Sequence, residues 1–143
     1  MTNLTKAATW FTVVVVLAII WNAMGVTAYI MSVTMSAEDF LKLSQAEQDL
    51  HNATPAWAKG AFAIAVFGGL LGSLLLVLKK SLALPVLVLS FIAILVQMYN
   101  AFFIQDSFAV FGPGSTIMPI MVVVIAALLI WLAKFAQSKK WIG

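Results

Sequence analysis

The sequence predicts an all-α protein: a four-helix transmembrane bundle with one short external amphipathic helix and both chain ends on the same side of the membrane. Three observations lead there. The chain of 143 residues is 64% hydrophobic and only 9% charged, whereas an ordinary soluble domain is about a quarter charged. So much apolar material cannot be covered by the chain's own polar surface, so lipid must cover it. Runs of membrane length, almost free of charge, fall at about 10–31, 56–78, 82–104 and 117–135, and about 20 helical residues cross a bilayer core. Finally, the lysines gather at alternate ends of those runs, which is how multi-pass proteins encode orientation.

The first run reads WFTVVVVLAIIWNAMGVTAYIM. It is too long for a typical signal core, so a retained helix is expected. Ala18, Asn22, Gly25 and Tyr29 recur at helical spacing and form one stripe. An amide in hydrocarbon is costly unless something satisfies it. The other helices are therefore expected to pack on the face that carries Asn22.

A polar stretch follows. Ser36 ahead of Glu38 and Asp39 is a helix cap with acids in the first turn. Phe40, Leu43, Ala46 and Leu50 then keep helical spacing, so one amphipathic surface helix is expected over about 37–50. Its acids, Glu38, Asp39, Glu47 and Asp49, read as a solvated face, and His51 as an exposed loop residue. Thr54 at a cap with Pro55 at the first helical position opens the second run. Ala58, Ala61, Ala65, Gly68 and Gly72 form a smooth packing stripe there, and Gly25 is a packing position of the first run. Gly69 and Ser73 repeat the small-residue spacing one position on, and such faces let helix backbones approach closely.

The Lys79-Lys80 turn leads to the third run, with Pro85 in its first turn. Ser90, Ala93, Gln97 and Asn100 share a face of it. Residues 105–116 read as a loop with a Gly112-Pro113-Gly114 turn, whose Phe108 and Phe111 point to the membrane interface. The fourth run has no amide or acid in its core.

Lys6, Lys79, Lys80, Lys134, Lys139 and Lys140 fall on one side of this topology, and only Lys42 and Lys59 on the other, with the acids. Both termini are thus expected in the cytoplasm. The net charge of +3 is then topological, and no nucleic-acid partner is expected. The chain has no cysteine and a single histidine, which excludes disulfides, thiolate chemistry and a multi-histidine metal site within one subunit. No metal or other cofactor is expected. The helices offer no matched nucleophile and base, so an enzyme is not expected. No acid lies in a helix core, which counts against ion-coupled transport. The glutamate of small multidrug exporters, the arginines of membrane glutathione-transferase-like enzymes and the cysteines of vitamin K reductase-like enzymes are all missing.

What remains is a set of uncharged polar groups. Asn22 and Gln97, counted from the outer helix ends, lie about 14 Å and about 10 Å deep. With Asn100, and with Trp21, Tyr29 and Tyr99 around them, they are candidate ligands for a small, uncharged, sugar-like solute between the first and third runs. Amides both donate and accept, and an indole face stacks on an apolar sugar face. The competing expectation is plain interhelical hydrogen bonding, in a structural or accessory subunit with no ligand of its own. Either way a homo-oligomer or larger membrane complex is expected, because so small a subunit does not enclose a transport path.

At WNAMG (21–25), TPAWAKGAFAIAVFGGLLGSLLLVLKK (54–80) and FGPGS (111–115) the chain resembles a group of small bacterial membrane proteins, some of which carry the label "sugar transporter". That resemblance implies a four-helix protein of the bacterial inner membrane and a solute role, and carries over no catalytic residues. In size and helix count the chain is also similar to DoxX-like proteins.

Overall fold

The computed structural model describes residues 4–104 and 117–143. Residues 105–116, with Asp106, Phe108, Phe111 and the Gly112-Pro113-Gly114 turn, lie outside the described residues. The elements are α1 (Thr9–Val33), α2 (Ala37–Leu41), α3 (Gln45–Ala53), α4 (Ala56–Val77), α5 (Ala83–Tyr99), which runs on into a π turn (Asn100–Ile104), and α6 (Ile117–Ser138). Four helices are long and apolar enough to span a membrane. Among the described residues there is no strand.

Helix boundaries follow local chemistry. Ser36 caps α2 by accepting from the Asp39 N–H at 3.1 Å. The surface segment, expected as one helix over 37–50, is two helices. Ser44 is in an extended conformation and starts α3 with a capping box: its hydroxyl takes the Glu47 N–H, and the Glu47 carboxylate takes the Ser44 N–H. That reciprocal pair satisfies two donors that a continuous helix would have bonded internally. His51 lies in the last turn of α3, with its ring 5.6 Å from Phe40, and is not a loop residue. Pro55, not Thr54, is the cap of α4, while the Thr54 hydroxyl donates back to Leu50 O at 2.9 Å. Pro85 and Pro119 each stand third in their helices, where a missing N–H has no intrahelical acceptor to leave empty.

α4 and α6 end in the same way. Lys79 and Lys140 adopt left-handed φ of 61° and 58°. Lys80 N–H reaches Leu75 O at 2.9 Å, and Trp141 N–H reaches Ala136 O at 2.9 Å. These are the long bonds of Schellman turns, formed here without glycine. Backbone bonds then tie the two turns together. Ser81 N–H donates to Gly143 O at 3.1 Å, Gly143 N–H to Lys79 O at 3.0 Å, and Thr5 N–H to Lys140 O at 2.8 Å. The segments bearing Lys6, Lys79, Lys80, Lys134, Lys139 and Lys140 therefore share one end of the bundle.

α1 packs on α4, α4 on α5, and α5 on α6. The larger core cluster lies toward the lysine end, where Phe11, Val15 and Ala18 of α1 join Leu76, Leu87, Leu129, Leu132 and Ile142. Higher up, a smaller cluster of Ala65, Ala93 and Ile94 with Val122 and Ala126 unites α4, α5 and α6 without α1.

Candidate functional site

Asn22 sits near the middle of α1 and is half-buried. Its Nδ2 donates to Ala18 O in its own helix at 2.8 Å and to Ser73 Oγ of α4 at 3.3 Å. The Ser73 hydroxyl in turn donates to Gly69 O at 2.8 Å. On the other flank of α4, the Ser90 hydroxyl of α5 donates to Ala65 O at 2.6 Å. Three helices are thus joined through small uncharged groups. In lipid such bonds matter because no water stands ready to replace them.

The glycines of α4 explain how the helices come so close. A Cβ at Gly69 would overlap Asn22 Oδ1. One at Gly72 would sit 2.6 Å from Leu87 Cδ2, and one at Gly68 would sit 3.1 Å from Ser90 Cβ. Gly69 therefore admits α1, while Gly68 and Gly72 admit α5. Of the remaining packing positions, Ala61 and Ala65 are buried, and a Cβ at Gly25 would be 3.2 Å from Val66 Cγ1.

The expected ligand set does not gather around Asn22. Gln97 is half-buried on α5, seven residues beyond Ser90, or about 10 Å further along the axis. Asn100 is 3% exposed and opens the π turn. Tyr29 sets its ring edge-on to Phe62 and Phe67 of α4, at 5.3 and 5.9 Å. Tyr99 is exposed beside Phe103. The partners that Asn22 does find, Ser73 and Gly69, carry a sequence signal in the repeated small-residue spacing of α4. Ser90 had only its place on the polar face of α5.

Two spaces adjoin these residues. One, of about 30 Å³, lies beside Asn22, Gly69 and Ser90, with Trp21, Ile94 and Val122 in its wall. That is on the order of one water molecule. The other is an open apolar groove of about 460 Å³ between α1 and α6, lined by Trp10, Val14, Leu17, Trp21, Leu128 and Trp131 among others. At its lysine end the aromatic rings crowd together: Trp10 to Phe135 is 6.0 Å, Trp10 to Trp141 is 5.6 Å, and Trp131 stacks on Phe135 at 5.2 Å.

At the opposite end, Lys42 pairs with Asp39 at 3.7 Å and Glu38 at 4.0 Å, all three well exposed. Such pairs contribute little. Among the described residues no group of three histidine, aspartate or glutamate side chains is placed to hold a metal ion.

Four apolar spans, three of them joined by uncharged hydrogen bonds, define a multi-pass integral membrane protein. Comparison with known families, curated proteins and solved structures finds no match to this chain.

Proposed function

We propose that the protein is a structural or accessory component of a membrane assembly, not an enzyme, and that its interior polar groups fix helix registry. One observation carries this reading. The Asn22 amide is engaged by Ala18 O and Ser73, Gly69 is pressed against its carbonyl, and the adjoining space is about 30 Å³. A sugar needs far more room than a water molecule. The lysine distribution supports both termini in the cytoplasm, and the resemblance to small bacterial membrane proteins supports an inner-membrane setting. The exposed apolar faces of α1 and α6 support assembly with lipid, with further copies or with partner proteins.

The test uses single cysteines at positions 22, 97 and 100, made in a chain that has none of its own. Position 22 is expected to resist a charged, water-soluble thiol reagent, and Asn22→Ala to lower the thermal midpoint without altering the binding of any sugar. Rapid labelling at 22, or loss of a measured sugar affinity in a stable Asn22→Ala protein, would overturn the reading.

A solute-binding role is the second reading, and a different observation favours it. Asn100 is a buried amide at a π turn, and π turns within α-helices often mark functional sites. Half-buried Gln97 stands one turn before it, so α5 carries two amides toward the end of the bundle away from the lysines. The same cysteine set separates the readings: labelling at 97 and 100 that a sugar protects against, with 22 silent, would favour solute binding there.

A further inference from the structure

We propose that the α1–α6 groove holds an acyl chain of an anionic phospholipid, with its headgroup against Lys6, Lys134 and Lys139. The groove runs along α1 from Trp10 to Trp21, about 16 Å at 1.5 Å per residue, which is close to half of a ~30 Å hydrocarbon core. It therefore spans one leaflet, the one whose surface the lysines face. Leu17, Leu128 and Trp131 of its walls are 60%, 57% and 55% exposed, so the protein itself leaves this space open.

The chemistry of the walls selects a flexible chain over another helix. Helices dock in membranes through small residues that let backbones meet, and this groove is lined mainly by tryptophan, leucine and valine. The rim selects the headgroup. Lys134 stands three residues beyond Trp131 on α6. Lys139 Nζ lies 5.5 Å above the Phe135 ring. Lys6 follows Thr5, whose backbone and hydroxyl both bond to the Lys139-Lys140 turn. The described acids all lie in the segment bearing α2 and α3, at the other end of the bundle. A phosphate here meets cations with no acidic side chain among the described residues at this end, and each lysine near an anionic headgroup favours it by about fivefold.

The groove also carries its own reporters in Trp10, Trp21 and Trp131. The full chain, reconstituted in phosphatidylcholine nanodiscs, is titrated with phosphatidylglycerol brominated on its acyl chains, or with equally brominated phosphatidylcholine. Tryptophan quenching is expected to reach its midpoint at a lower mole fraction for the anionic lipid, by at least the about fivefold that one lysine supplies. Combined Lys6→Gln, Lys134→Gln and Lys139→Gln should bring the two midpoints together. Val14→Phe with Leu128→Phe, both at exposed positions that fill the groove, should weaken quenching by either lipid. Equal midpoints in the unaltered protein, or a preference that survives lysine replacement, would overturn the proposal. So would a Leu17→Cys protein that forms copy-to-copy disulfides and thereby shields the indoles, since the occupant would then be a second copy.

Discussion

The α4–α5 seam and the α1–α6 groove lie side by side in one small bundle and are built on opposite rules. Along the seam, Gly68 and Gly72 remove side chains so that Ser90 and Leu87 can press against the α4 backbone, and the Ser90 hydroxyl reaches Ala65 O at 2.6 Å. Along the groove, large side chains line an open space, and at the lysine end Phe11 and Val15 of α1 join Leu132 and Ala136 of α6 in one core cluster. In lipid there is no hydrophobic drive to bring apolar faces together. A pair of helices therefore closes where small residues permit dispersion contact and hydrogen bonds, and stays apart where they do not.

That contrast can be broken most severely at the base both regions share. Leu76 has no exposed surface there, and Leu76→Ala is expected to destabilise by about 2–5 kcal/mol, read as the thermal midpoint in detergent micelles. Gly72→Val strikes the seam alone. Its Cβ would crowd Leu87, and overpacking of this kind costs about 1–3 kcal/mol; crosslinking between cysteines on α4 and α5 should fall in step. Asn22→Ala removes the bond from α1 to Ser73, expected at about 0.6 kcal/mol and no more than about 2, again by thermal midpoint. Leu128→Ala on the groove wall should move stability by less than about 0.5 kcal/mol. A loss there as large as that at Leu76 would mean that the groove is filled and tight, and would remove the contrast.

Much of this architecture was legible in the chain because membrane solvation is a coarse filter. Long, nearly uncharged runs have one stable way to satisfy their backbone in lipid, and lysines at alternate ends fix which ends lie together. Finer features depended on relations between helices. Asn22 and Gln97 looked level when counted from their outer ends. In the bundle, Asn22 is level with Gly69 and Ser73 of α4 and, across Gly69, with Ser90 of α5. α5 with its π turn runs further past that level than α1 does, from Ser90 to Ile104 against Asn22 to Val33, and counting along a single helix does not reveal that offset. The break at Ser44 was visible in Ser44-Gln45-Ala46-Glu47, a capping-box pattern, but the spacing of Phe40, Leu43, Ala46 and Leu50 runs through it and masks it. The left-handed turns at Lys79 and Lys140 gave no signal, because glycine usually marks such positions and lysine does not.

Gly69 has a genetic consequence. Its lack of a side chain is required by an amide on another helix, 47 positions earlier in the chain, so the tolerance of one site depends on the occupant of the other. A selection for revertants of Gly69→Ala should return changes at position 22 to glycine, alanine or serine, whereas revertants of Gly72→Ala should map to position 87. The two adjoining positions on α4 would then answer to different suppressors, one set for each neighbouring helix.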